Sequence, residues 1–491
     1  MFLVNVPVVH GEEVVMSRSV ALGVLGSLFA LVVGACAPES SGTHKNAVKA
    51  NNNDPNAAPS DPNAANGDDT TEQPSGPVDD GGVAGGDTGS VDGGGATDGC
   101  TAAPSGWRPM AKVKTTDTTM KGSDSRVAWS GRLLFDQHTW STTPCTPGMG
   151  CTFHHEELAY DPLGDVWSML PSVPGGDVRV YYYGASVDGK WVLFSGGLVA
   201  GHDTLMDGAI YDPTTNLWTL ISPAPLVPRT EATVVALPST HEILVWGGMN
   251  DGFSAPPGTS GFPQYTDGAA YSLVTGKWRT IATSPFTAGA DPITSWDGAR
   301  LIMAFPSVSS EGEMPTHAAA AYDPKADAWS TLPLPSVSAR VASSFAAVDR
   351  GVGARASTAF WGGFTAITDG DMPTLRDGAW LDSSSGGWTT IPDPGLSLVP
   401  QDLTRNVAFG AKGRFYLWGG QLSTSTSSGS STLFRGGIVY DLSSGTWSRM
   451  PTAGAPSPRS NAVAVWTGCD AIVFGGWSET GWSADGARFR P

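Results

Sequence analysis

Six arginines recur through the last four-fifths of this 491-residue chain: Arg126, Arg179, Arg229, Arg340, Arg405 and Arg459. Each stands at the start of a short apolar run. Four aspartates keep a similar rhythm, Asp207, Asp267, Asp377 and Asp485, and each opens another such run. Guanidinium and carboxylate at a fixed spacing have two uses. They can pair inside each unit, because the planar guanidinium fork matches a carboxylate, and both sets recur with the repeat as structural residues do. Alternatively, the guanidiniums can form a positive ring that receives an anionic ligand.

Other reactive residues are sparser. His154-His155-Glu156-Glu157, with His138, are metal-ligand types. Neighbours on a strand point to opposite faces, so at most one of the two adjacent histidines fits one site. A solvated loop is the expectation there. Tyr181-Tyr182-Tyr183 would turn at least one ring toward the interior of the fold. None of these makes a catalytic constellation, so no catalytic residue, metal or cofactor is assigned.

The elements that must carry these residues are read from a repeat. Apolar runs end in Gly196-Gly197, Gly247-Gly248, Gly362-Gly363, Gly419-Gly420 and Gly475-Gly476. A second short run ends in Tyr-Asp-Pro or a variant of it. Tryptophans follow at 107, 167, 218, 278, 329, 388 and 447, a mean period of about 57 residues. Five diglycines in phase with seven tryptophans resemble the kelch repeat over 101–491. The resemblance implies an all-β, seven-bladed kelch-type β-propeller whose blades are four-stranded antiparallel sheets, with strands a to d running outward from a central channel.

Strands b are placed at 132–135, 191–194, 243–246, 301–305, 357–361, 415–418 and 471–474, and strands c near 158–160, 209–211, 269–271, 318–322, 379–381, 438–440 and 487–489. Blade 7 then lacks a strand d, while Gly106-Trp107-Arg108-Pro109 is a strand d with no blade before it. The N-terminal strand is expected to complete the last blade and close the ring.

Residues 1–36 are expected to be an export segment. Met16-Ser17-Arg18-Ser19 supplies a positive start, and Val20 to Val33 is an apolar stretch of 14, too short to span a bilayer. Residues 1–15 fit no such signal, and Met16 is a candidate start. Val33-Gly34-Ala35-Cys36 resembles the lipobox of bacterial lipoproteins, which implies lipidation of Cys36 and an anchor that does not cross the membrane. The absence of aspartate after Cys36 favours the outer membrane, its side undetermined. Residues 37–99 are low complexity, with 11 acidic residues, two lysines and no aromatics, a composition that cannot build a core. They read as a flexible tether on the order of 45 Å end to end. Residues 100–491 form the propeller. It carries −8 of the net −18, which gives no encouragement to nucleic-acid binding.

Export makes disulfides reasonable for the remaining cysteines. Cys145 and Cys151 are close enough for a local bridge. Cys469 in the a–b turn of blade 7 and Cys100 ahead of the closing strand would lie on one face, and their bond would lock the ring, worth about 5 kcal/mol in chain-entropy models. Free buried thiols are the alternative.

The a–b turns are short, whereas the b–c connections His138–His155, Met249–Thr266, Pro306–Thr316, Phe364–Arg376 and Gln421–Arg435 are long. Long loops on a rigid scaffold carry binding, and the arginines start on the same face. The expected function is a lipid-anchored scaffold binding an unknown protein or glycan there. The alternative is a kelch-type carbohydrate-active enzyme, of copper radical oxidase or sugar isomerase type. Against the oxidase, no cysteine stands free to cross-link a tyrosine, and the histidines lie mostly in loops. Ser186-Val187-Asp188-Gly189 only brushes the sialidase box.

Overall fold

The computed structural model describes residues 104–113, 123–141, 153–174, 182–195, 205–229, 232–249, 264–290, 292–306, 315–341, 343–351, 353–365, 373–423 and 432–491. The expected export segment with Cys36, the tether, Cys100, Cys145, Cys151, Arg179, Tyr181, His202 and Gly196-Gly197 lie outside them.

Among the described residues the regular elements are all β-strands, apart from one 3-10 turn at Pro238–Thr240. Seven four-stranded antiparallel sheets form. Six are consecutive in sequence. Blade 1 is Ser123–Trp129, Leu134–Ser141, Phe153–Asp161 and Val166–Met169. Blade 2 is Tyr182–Val187, Lys190–Ser195, Asp207–Asp212 and Leu217–Ile221. Blade 3 is Thr233–Leu237, Glu242–Trp246, Gly268–Ser272 and Lys277–Thr280. Blade 4 is Ile293–Trp296, Leu301–Ala304, Ala319–Asp323 and Ala328–Thr331. Blade 5 is Ser344–Val348, Ser357–Trp361, Gly378–Asp382 and Gly387–Ile391. Blade 6 is Val407–Ala411, Arg414–Trp418, Gly437–Asp441 and Thr446–Arg449. The seventh joins the two ends of the described chain: Val463–Trp466, Ala471–Phe474 and Gly486–Arg490 pair in that order, and Gly106–Pro109 is the outer strand, with Trp107 opposite Phe489.

The first strands of all seven sheets line one channel of about 340 Å³, among them Ala185, Val235, Ser295, Ala346, Phe409 and Val465. Sheets repeated about a shared channel define a β-propeller. The second strands are almost wholly buried where their side chains are described, as Glu242–Trp246 is throughout, which is why they read as nearly unbroken apolar runs.

The recurring tryptophans explain how neighbouring sheets are joined. Each lies across from an apolar residue of the third strand, as Trp278 does from Tyr271 and Trp329 from Tyr322. Each indole N–H donates to a carbonyl just beyond the outer strand of the preceding sheet. Trp167 bonds Ala111 at 2.9 Å, Trp218 bonds Pro171 at 2.7 Å, Trp278 bonds Ser222 at 2.8 Å and Trp329 bonds Ala282 at 3.0 Å. Trp388, Trp447 and Trp107 bond Pro333, Pro392 and Pro451, each at 2.8 Å.

The Tyr-Asp-Pro signature also has a mechanism. The turn after it needs one left-handed residue, supplied by Asp165, Asn216 and Asp327 at φ 50, 58 and 47°, and by Gly276 at φ 67°. Where that residue is polar, the tyrosine hydroxyl donates to it, at 2.6 Å in Tyr160–Asp165 and Tyr322–Asp327.

Blade 1 corrects the sequence reading. Its second strand runs Leu134–Ser141 rather than 132–135, and its third begins at Phe153 rather than near 158. Residues 138–141 and 153–155 of the expected loop His138–His155 are therefore paired strand, with His138 opposite Glu156. No diglycine ends the second strand here, so nothing forces the chain to turn away from the ladder.

Candidate ligand-binding face

The end of the propeller where the second strands finish carries a module built several times. In five sheets an aromatic residue on the second strand faces a glycine on the third: Phe194–Gly208, Trp246–Gly268, Trp361–Gly378, Trp418–Gly437 and Phe474–Gly486. A diglycine follows each of these aromatics directly or one residue later. In the four diglycines among the described residues both members take positive φ, 71° and 89° at Gly247 and Gly248. A Cβ on Gly247 would lie 2.1 Å from the Gly289 carbonyl oxygen, so no other residue fits.

Three of the recurring arginines lock this turn. Arg229, Arg340 and Arg459 are 0%, 1% and 1% exposed, so they present no cation to solvent. Arg229 Nε donates to the Val227 carbonyl at 2.8 Å, and Nη1 to the Gly247 carbonyl at 3.1 Å and Asp267 Oδ1 at 2.6 Å. Arg340 donates to Ser338 O at 2.9 Å and Gly362 O at 3.2 Å, and its Nη2 lies 2.9 Å from Asp377 Oδ1. Burial pulls the Arg340 pKa down, against the pull of Asp377. Arg459 donates to Ser457 O, Gly475 O and Asp485 O, each at 2.9 Å, and to Asp485 Oδ1 at 2.7 Å. In all three the accepting glycine is the first of the diglycine. Pairing with the strand-c aspartates is the use these arginines are put to.

The remaining arginines do not occupy the same place. Arg126 lies within strand a of blade 1, opposite Gln137, whereas Arg229 stands four residues before its strand. Arg405 stands two residues before its strand in a left-handed conformation, φ 56°, and donates to Gln421 Oε1 at 2.9 Å. Burial lowers its pKa. Blade 4 has neither diglycine nor clamp, and Ala304–Ala319 replaces the aromatic–glycine pair.

Blade 1 fills the equivalent position with polar residues. Gln137 faces Glu157, and both are buried. Gln137 Nε2 donates to Glu157 Oε1 at 3.3 Å, and His155 Nδ1 meets the same oxygen at 2.6 Å. The hydrogen bond to Glu157 raises the His155 pKa, against desolvation. Among the described residues no group of three or more His, Cys, Asp or Glu is arranged to hold a metal ion. His317 packs on Phe305 and bonds the Pro335 carbonyl at 3.0 Å, while His241 pairs with Asp188 at the opposite, a–b end. Cys469 is disulfide-bonded, and every other cysteine lies outside the described residues.

Sequence reasoning missed a group of solvent-exposed residues at this end. Two small three-stranded sheets rise there, Asp402–Thr404 with Gln421–Ser423 and Thr432–Leu433, and Arg459–Ser460 with Trp477–Ser478 and Gly481–Trp482. The second is a tight hairpin whose two tryptophans face each other. Glu479 at its tip pairs with Arg435 at 2.5 Å, both largely exposed. Trp477 and Trp482, five residues apart and out of phase with the seven outer-strand tryptophans, were the available signal.

The class that these sheets define is the β-propeller. No protein-family model and no curated protein matches the chain. A solved structure titled "Structure of YjhT" is similar at 14% identity and a TM-score of 0.44, covering 65% of this chain and 95% of that one.

Proposed function

We propose that the chain is an exported, lipid-anchored kelch-type propeller of seven blades that binds a protein or glycan ligand through its b–c loop face. Cys36 carries the lipid, residues 37–99 are the tether, and the site of display is the outer membrane. The ring is closed by Gly106–Pro109 in the last blade; in support, the indole bonds pass from each sheet to the one before and return from Trp107 to Pro451 and from Trp167 to Ala111. A Cys100–Cys469 bond secures the closure, and the disulfide state of Cys469 is consistent with it.

The binding role is carried by one observation. At blades 3, 5 and 7 a fully buried arginine ties the first glycine of the diglycine to the start of the third strand. The b–c connections therefore spring from fixed points, as loops that recognise a ligand must.

Intact-mass measurement on the purified full chain, alkylated with and without prior reduction, tests this reading together with elemental analysis. The expected result is a diacylglyceryl mass on Cys36, alkylation of the other four cysteines only after reduction, and no bound metal. Free thiols at Cys100 and Cys469 would overturn the closure, and stoichiometric copper or zinc would favour the carbohydrate-active enzyme.

A further inference from the structure

We infer that the hairpin Trp477–Trp482 at the b–c end of blade 7 is a stacking site for a neutral sugar ring. The inference rests on the binding reading above and narrows it to one place and one ligand class.

Trp477 is 40% exposed, the one tryptophan among the large apolar side chains that the described residues leave open to solvent. It lies directly opposite Trp482, with ring centroids 5.5 Å apart and planes at 83°. In such an edge-to-face pair at most one face of one ring is covered, and the exposure of Trp477 shows that indole surface stays open to solvent. The platform is held in place. Ser460 and Arg459 pair with Trp477 and Ser478, and Arg459 is the buried clamp of this blade. Ser478 Oγ closes the turn on the Gly481 carbonyl at 2.8 Å.

The polar neighbours define the rest of the ligand. Glu479 stands at the tip of the same hairpin and pairs with Arg435, with side chains 61% and 69% exposed. Guanidinium nitrogens only donate and carboxylate oxygens only accept, so the pair offers both to a ligand and carries no net charge. An anionic ligand meets Glu479 and a cationic one meets Arg435. A pyranose fits both halves of the site: its C–H face, slightly positive, lies on the negative face of an indole, and its hydroxyls donate and accept. A protein partner is the poorer occupant, because a stable protein interface buries about 800 Å² per partner, and the hairpin offers little more than one open indole and an ion pair.

The test is isothermal titration of the full chain with lactose, maltotriose and chitotriose. At least one of these is expected to bind. Trp477→Ala is expected to weaken that binding by about tenfold or more. Trp477→Phe, which keeps an aromatic face, is expected to stay within about threefold, and both variants should keep the wild-type melting temperature to within a few degrees. If none of the three sugars binds, the inference is wrong. If one binds with unchanged affinity in Trp477→Ala but is lost when residues 142–152 or 250–263 are exchanged, the hairpin site falls and the b–c face stands. If neither the substitution nor the exchanges matter, both fall. Retention of a protein ligand through Trp477, with no sugar bound, also overturns the inference.

Discussion

Replacing Arg459 with methionine separates a structural clamp from a ligand-receiving cation. Methionine keeps the apolar length of the side chain and removes every donor. In the folded protein the guanidinium satisfies the carbonyls of Ser457, Gly475 and Asp485 and one Asp485 carboxylate oxygen. The Asp485 carbonyl keeps a second donor, the Gly475 N–H at 3.1 Å, and so loses little. The Asp485 carboxylate is 36% exposed and water can take over its solvation, which leaves the ion pair itself a small contribution. Ser457 is exposed, so water can take over its carbonyl, whereas the Gly475 carbonyl is buried beside Arg459 and has no such substitute. An unmet buried acceptor costs about 1–3 kcal/mol, so the loss is about 2 kcal/mol. That is a large part of the roughly 5–15 kcal/mol that stabilises a typical protein. Urea unfolding of Arg459→Met should show the loss as a lower midpoint with little change in slope. Asp485→Asn, which keeps an acceptor, should cost about 1 kcal/mol. If Arg459→Met lies within about 1 kcal/mol of wild type, the clamp is not what holds the turn, and a ligand role for the recurring arginines returns.

Two further substitutions probe the same frame. Gly247→Ala should abolish soluble folded protein, since its Cβ would meet the Gly289 carbonyl oxygen at 2.1 Å, whereas Gly298→Ala, also at positive φ but with open space around it, should cost only about 1 kcal/mol; expression and melting temperature of the pair decide. His155 gains its proton more readily in the folded state because Glu157 accepts a hydrogen bond from it. A raised folded pKa stabilises the protein fully below the ordinary histidine value near 6.5, and that contribution fades as pH rises through the folded pKa. His155→Gln should therefore destabilise more at pH 5 than at pH 8 in urea titrations, and an equal or larger loss at pH 8 would refute the pairing.

What could be read from the sequence is what the fold repeats. Tryptophan phase marks the outer strands because each indole performs the same bond to the preceding sheet. Tyr-Asp-Pro marks the turn because a tyrosine hydroxyl and a left-handed residue meet there repeatedly. Diglycine marks the end of the second strand because positive φ is needed there and, at Gly247, Gly363, Gly419, Gly420 and Gly476, a Cβ would clash with backbone. The arginines were found by the same recurrence, and the limits of that signal show in them. Arg126 and Arg229 both precede or enter an inner strand, yet only strand pairing reveals that Arg126 stands four positions further along, opposite Gln137. A one-dimensional spacing cannot separate the two, since the connections ahead of the strands vary in length. Blade 1 hid its hairpin for a related reason: the polar pair Gln137–Glu157 sits where other blades place an aromatic residue over glycine, so alternation gave way to a run that looks solvated.

The Trp477–Trp482 hairpin was invisible on different grounds. It occurs once, and a reading keyed on recurrence discards what occurs once. Residues that recur from unit to unit are held there by the needs of the unit: the clamp consumes its guanidinium, the outer-strand indole consumes its N–H, and neither has anything left for a ligand. A residue that no other blade shares, and that the packing leaves exposed, is not accounted for by the frame. In a repeat protein the places to look for function are the departures from the repeat that the structure leaves open. Gln137 and Glu157 of blade 1 depart from the repeat but are buried, and the tryptophan hairpin of blade 7 departs from it and leaves Trp477 exposed.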